Sequence, residues 1–253
     1  MTLFSANLGF LWADRPLADA IHAAHAAGFA AVECHWPYDN DPADVRAALD
    51  ETGLAMLGLN TIRGDVSAGE NGLSALPGRE AEARAAIDQA MGYAQAIAAG
   101  AVHVMAGFAH GPEADACFRS NLAYACEQAA GPGVTVLIEP LNPYDAPGYF
   151  LSSTGQAKTL IDDLGAANLK LMFDCYHIQL IEGDLTNRLS RLLPMIGHIQ
   201  FASVPDRGTP DHGEVSYAHI FAHLAQIGYV QPLGAEYKST LATDETLDWM
   251  KSF

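Results

Sequence analysis

Eight times over, this chain passes from a short apolar run into a longer, alanine-rich amphipathic stretch, and few folds accommodate that alternation. The runs that read as strands are residues 3–8, 30–35, 55–60, 102–107, 134–139, 169–174, 198–201 and 233–237. The helical patterns fall at 16–27, 42–52, 78–98, 112–129, 154–164, 184–193, 217–226 and 243–250. Strands separated by helices of ten or more residues are joined by crossovers, which makes the sheet parallel. Gly28, Gly53, Gly100, Gly131, Gly165 and Gly228 each fall just past a helical pattern and are predicted as left-handed helix stops. Eight such units in 253 residues, with no linker between them, predict one (β/α)8 barrel domain over residues 1–253 rather than an open doubly wound sheet. No GxGxxG follows the first strand and no phosphate-binding GxxxxGK[ST] occurs, so the common nucleotide-binding readings lack their signatures.

Charge removes one class of partner. With 13 Lys and Arg against 30 Asp and Glu, the net charge is −17, and no basic cluster is available to hold a nucleic-acid backbone. The longest apolar stretch, residues 94–105, is too short for a bilayer, so no membrane association is expected. The N-terminus lacks the basic segment of a secretory signal, which predicts a cytoplasmic protein. Cys34, Cys117, Cys126 and Cys175 show no metal-binding spacing and read as reduced, buried apolar residues. The acidic composition leaves self-association into a homo-oligomer open.

Active sites of (β/α)8 barrels lie at the C-terminal ends of the strands, so polar residues that close apolar runs matter most. Four successive runs end that way: VTVLIEP on Glu139, LKLMFD on Asp174, HIQFA with Gln200 and PLGAEYK with Glu236. Strand side chains alternate faces, and the pairs Leu137/Glu139, Met172/Asp174, His198/Gln200 and Gly234/Glu236 put all four polar groups on the inner face. Three carboxylates in one pocket repel each other unless a cation sits among them. Oxygen donors from Glu139, Asp174, Gln200 and Glu236 suit Mg²⁺ or Mn²⁺ better than structural zinc. Any one of these acids read alone is equally a helix cap or a surface ion pair, and Asp174 most of all. Around the same rim, His177, Lys238 and Arg207 are candidates to hold a substrate oxygen, an enolate or a carboxylate, each against the plain alternative of an exposed side chain. Glu33, His35 and His103 read as a polar layer inside the barrel, with His103 a lesser substrate contact. Residues 63–80 form a long Gly-rich connection of the length typical of a lid.

Along its whole length the sequence resembles the hydroxypyruvate isomerase family, which includes 2-oxo-tetronate isomerases, within the xylose isomerase-like TIM barrels. The segments that carry the likeness are FSANLGFLW, GLSALPGRE, VHVMAG, LIEPLN, FDCYHIQ, HIQFASVPDR, DHGEVSY and GAEYK. The resemblance implies catalytic glutamates at Glu139 and Glu236, metal ligands at Glu139, Asp174, Gln200 and Glu236, and a substrate-contacting histidine at His177. Arg207 and Lys238 fall on motif positions. It further implies a small hydroxy-keto acid or sugar-acid substrate and an aldose–ketose proton transfer. Hydroxypyruvate and 2-hydroxy-3-oxopropanoate are the expected pair, with a 2-oxo-tetronate or a free ketose as alternatives. Many sugar epimerases of the superfamily carry His where this chain has Gln200, which argues against the ketose. A DNA-repair endonuclease on a related barrel is opposed by the acidic charge and the lack of a His-rich metal cluster. A non-catalytic sugar-binding barrel leaves the two glutamates unexplained.

Overall fold

The computed structural model describes residues 2–253. Strands β1 (Phe4–Asn7), β2 (Ala31–Glu33), β3 (Ala55–Met56), β4 (Leu59–Asn60), β5 (Ala101–His103), β6 (Thr135–Ile138), β7 (Leu169–Asp174), β8 (Ile196–Phe201) and β9 (Leu233–Ala235) form one sheet. Its order is β3-β2-β1-β9-β8-β7-β6-β5-β4, with every pair parallel. The expected strand at 55–60 is broken in two. β3 pairs with β2 and β4 pairs with β5, so the stretch switches partners about the Leu57–Gly58 peptide. At the switch Leu57 N donates to Val32 O at 2.7 Å and Cys34 N donates to Gly58 O at 3.1 Å, which closes the ring as a TIM barrel.

Helices α1 (Leu17–Ala26), α2 (Pro42–Thr52), α3 (Glu80–Ile97), α4 (Pro112–Ala130), α5 (Thr154–Leu164), α6 (Cys175–Ile181), α7 (Leu185–Leu192) and α8 (Tyr217–Gln226) connect the strands. Their ends follow local chemistry. The Asp41 carboxylate accepts from Ala43 N at 2.8 Å ahead of Pro42, and Gly53 (φ 70°) ends α2 in the left-handed region. Gly28, Gly165 and Gly228 also take positive φ, as expected. Two other predicted stops are corrected: Ala98 (φ 55°), not Gly100, ends α3, and Gly131 stays right-handed while Gly133 (φ 74°) makes the turn after α4.

Three further differences have physical reasons. The fourth predicted strand ends at His103, because the chain beyond it turns to the 72–75 segment: Ser74 N and Ala75 N donate to Met105 O and Ala106 O. α6, only 7 residues long, occupies what the sequence presents as a loop, and it is too short to show a helical period. The predicted last helix at 243–250 is instead two 3-10 turns, Thr243–Glu245 and Leu247–Ser252, bent so that Trp249 packs on Phe4, Phe201 and Tyr237. Ala101, Leu137 and Met172 form a small apolar cluster apart from the core between sheet and helices. Two residues further along the same strands, on the same face, stand His103, Glu139 and Asp174.

Candidate active site

Each of the four strand-closing polar residues is buried: Glu139 and Glu236 just past β6 and β9, Asp174 at the end of β7 and Gln200 within β8. Register explains their convergence, since Asp174 lies opposite Gln200 and Gln200 opposite Gly234. Asp174 serves both of the readings it allowed. Its Oδ1 caps α6 by accepting from Tyr176 N at 2.8 Å, while its Oδ2 is buried without a partner. Glu139 Oε1 and Gln200 Oε1 are likewise buried acceptors without a hydrogen bond. Such orphaned acceptors cost stability when nothing binds them. Three of them, all hard oxygens, fit a divalent cation of the Mg²⁺ or Mn²⁺ type.

Glu236 is different. Its Oε1 accepts from Asn7 Nδ2 and pairs with His35 Nε2, both at 2.9 Å, and its Oε2 accepts from Arg207 Nη2 at 2.5 Å. Burial alone would raise its pKa, but the Arg207 guanidinium and His35 outweigh burial and hold the carboxyl well below the usual range. Glu139 moves the other way: burial, then the charges of Glu236 and Asp174, push it well up. Burial and the Glu236 charge push Asp174 up to about 7.

His177 faces the same mouth from α6 rather than from a loop. One ligand atom from each of Glu139, Asp174 and His177 lies within 4.8 Å of the others. Burial and the neighbouring Arg207 charge push the imidazole down to about 3, so the ring is neutral. Its Nδ1 accepts from Asn142 N at 3.1 Å and faces Asn142 Nδ2 at 2.8 Å. The Asn142 Oδ1 accepts from Tyr144 N and Asp145 N, which fixes that amide's orientation. A neutral ring accepting at Nδ1 carries its proton on Nε2, 3.7 Å from Asp174 Oδ2. His177 is thus a hydrogen-bond donor into the mouth, not a free metal ligand. His103 has Nδ1 3.7 Å from Glu139 Oε2 and is pushed by burial down to about 3; neither of its ring nitrogens has a partner.

Beneath the mouth, Glu33 of the expected polar layer joins His198 and Gln200 in a network whose contacts the sequence did not show. Glu33 Oε2 faces His198 Nε2 at 2.8 Å and accepts from Gln200 Nε2 at 3.1 Å, which leaves the Gln200 oxygen as the amide's free acceptor. Gly234 makes room for it, since a Cβ there would stand 2.2 Å from Glu33 Oε1 and 2.8 Å from Gln200 Cγ.

The mouth opens into a cavity of about 380 Å³. Arg63, Arg207 and Lys238 line it, as do Val66, Gly69, Glu70 and Asn71 of the long connection. That connection is folded as a cover: Asp65 caps a 3-10 turn at Val66–Ala68, Glu70 pairs with Arg79, and Gly72 bridges Ala106. Arg63 stacks on Trp36 at 4.1 Å, and Lys238, exposed, lies 5.5 Å from the Phe10 ring. A second cavity, about 390 Å³, opens among Leu3, Phe221, Leu224, Val230 and Phe253 and, among the described residues, is lined by no acidic or basic side chain. Sequence reasoning missed Asn7, Asn142 and Asp145. Asn7 closes the run FSAN as Glu139 closes its own, so the signal that found the glutamates would have found it.

A family model for the xylose isomerase-like TIM barrel matches residues 21–253. The chain is 44% identical to a 2-oxo-tetronate isomerase of Cupriavidus necator, covering 100% of this chain and 99% of that one. It is 36% identical to the hydroxypyruvate isomerase of Escherichia coli over 100% of both chains. Among solved structures, an AP endonuclease of family 2 from Brucella melitensis superposes with a TM-score of 0.95 at 36% identity, covering 100% of this chain and 99% of that one. An L-ribulose 3-epimerase, at 21% identity and a TM-score of 0.80, shares the fold and covers 100% of this chain and 87% of the other.

Proposed function

The chain belongs to the xylose isomerase-like TIM-barrel family and is an isomerase, and we propose that it interconverts hydroxypyruvate and 2-hydroxy-3-oxopropanoate. The observation that carries this reading is the pair Glu139 and Glu236, two buried carboxyls on different strands of one mouth whose proton affinities are driven in opposite directions. That separation is what an acid–base pair requires. In the forward direction one glutamate accepts the proton from C3 of hydroxypyruvate, and the other delivers a proton to C2. The hydroxyl proton passes from the C3 oxygen to the C2 oxygen beside the His177 Nε2 donor. Because the reaction is reversible, each glutamate is base in one direction and acid in the other.

Arg207 and Lys238 are assigned to the substrate carboxylate and the developing oxyanion, and His103 to a substrate oxygen. Glu139, Asp174 and Gln200 would hold a divalent cation, Mg²⁺ or Mn²⁺, with Glu236 as fourth ligand. Such a cation would polarise the substrate carbonyl and stabilise negative charge on its oxygens. Four buried thiols, Cys34, Cys117, Cys126 and Cys175, support a cytoplasmic setting.

A 2-oxo-tetronate is the second reading. It is favoured by the polar groups Asn60, Glu70 and Asn71 on the cavity wall, where the additional hydroxyl of a four-carbon acid would find partners. Proton NMR in D₂O with each acid, with Mg²⁺ and after chelation, separates the two. Aldehyde formation and deuterium uptake from hydroxypyruvate support the first reading, turnover of the four-carbon acid alone moves the enzyme to the second, and exchange with neither contradicts both.

A further inference from the structure

Both oxygens of Glu236 are already engaged, Oε1 by Asn7 and His35 and Oε2 by Arg207, whereas the acceptors of Glu139, Asp174 and Gln200 are open. Arg207 Nη2 also lies 3.8 Å from Asp174 Oδ2. The guanidinium therefore stands where positive charge is needed, beside two of the four oxygen donors assigned to a divalent cation. It is nevertheless incompletely satisfied: Arg207 Nε is buried and has no acceptor. Its carbon lies 5.0 and 4.9 Å from the centroids of the Phe10 and Tyr176 rings, contacts that hold a guanidinium through its flat face and leave its edge for acceptors. A carboxylate presented from the cavity would take Nε and one Nη together in the two-pronged geometry that guanidinium favours.

We propose that Arg207 is an exchangeable counter-ion. Without substrate it neutralises Glu236 and opposes the cation; a substrate carboxylate draws it off Glu236 and frees Oε2 to ligate. Cation and substrate then bind cooperatively, because each favours the arrangement the other needs, and the coupling is equal in both directions. This rests on the assignment of the cation to Glu139, Asp174, Gln200 and Glu236.

The test is a titration of chelator-treated enzyme with Mn²⁺, read from the EPR signal of free Mn²⁺, with and without lactate, a 2-hydroxy acid that has no C3 hydroxyl and cannot isomerise. In the wild type, lactate is expected to tighten Mn²⁺ binding about tenfold. Arg207→Met should bind Mn²⁺ about tenfold more tightly than wild type without lactate and lose the lactate effect. Equal Mn²⁺ affinity in wild type and R207M, no lactate effect in wild type, or an undiminished lactate effect in R207M each overturns the proposal. The wild-type arm stands even if R207M does not fold. Glu139→Gln separates the two levels: Mn²⁺ binding lost in E139Q but indifferent to Arg207 defeats only the exchange. Mn²⁺ binding unchanged in E139Q, or none in any protein, defeats the cation assignment and the exchange with it.

Discussion

At the scale of single residues, the mouth is governed by which polar atoms have partners. The Gln200 nitrogen is held by Glu33, which leaves its oxygen as the free acceptor, and Glu33 fits as it does because residue 234 has no side chain. Gly234→Ala pushes a methyl into that carboxylate and toward Gln200 and His198, so the network must shift to admit it. We expect a loss of about 1–3 kcal/mol in urea unfolding, together with weaker Mn²⁺ binding. A variant as stable as wild type with unchanged Mn²⁺ affinity would show that the Glu33–Gln200 contact does not orient the amide. None of this is visible locally, since Gln200 and Glu33 lie 167 positions apart. Alternation identified the faces of the strands correctly, but it carries no information about which inward residues meet across the barrel.

At the scale of elements, the loop between β8 and α8 holds Arg207 in place and is itself tied by surface charges. Asp206 Oδ2 pairs with His212 Nε2 at 2.7 Å; hydrogen bonds from His212 and Ser203 pull the Asp206 carboxyl down to about 2, and the Asp206 partner raises His212. A lowered acid stabilises the fold above its unfolded value of 3.8 and stops doing so as pH falls toward 2. A raised histidine stabilises below its unfolded value of 6.5 and stops doing so as pH rises through its folded value. Both contributions are complete between 3.8 and 6.5. Both groups are about half exposed, so solvent screening leaves the pair worth roughly a few tenths of a kcal/mol. Protection of amides 203–214 against hydrogen exchange, relative to their intrinsic rates at each pH, should be highest in that window and fall above it, and His212→Gln should flatten the dependence. An identical profile in H212Q would exclude the pair as the fastening.

Elements also show how far pattern reading reaches. The staves and most helices were legible because a period of 2 and a period near 3.6 persist over enough residues to register. Where a short segment obeyed a distant constraint, the pattern failed. Residues 55–60 carry one apolar run yet serve two neighbours, α6 is shorter than two full turns of repeat, and the final 3-10 turns bend to bury Trp249. In the site, the glutamates, Asp174 and Gln200 were found from strand ends. The engagement of Glu236 by Asn7, His35 and Arg207 came only from the fold.

At the scale of the whole molecule, the barrel separates a polar inner mouth from an apolar outer layer. Polar atoms collect where the strands end. Outside the sheet Trp249 packs edge-on against Phe4, at the start of β1, and Phe201, at the end of β8, and the Thr243–Asp244 stretch binds back to Trp12 through hydrogen bonds of 2.8 and 2.9 Å. Trp249→Ala should therefore cost about 3–5 kcal/mol of stability while leaving kcat of the folded fraction within twofold of wild type, roughly the scatter expected of a change that spares the transition state. A large fall in kcat at full folding would mean that the outer packing is coupled to the mouth.

The central claim is that Glu139 and Glu236 carry the protons. It is tested most directly by following hydroxypyruvate in D₂O by NMR with wild type, Glu139→Gln and Glu236→Gln, each checked for folding by circular dichroism. We expect both variants to be folded and both to lose roughly 10²–10⁴-fold in interconversion, with deuterium entering at no more than one carbon in either. Interconversion within tenfold of wild type in both folded variants would contradict the account.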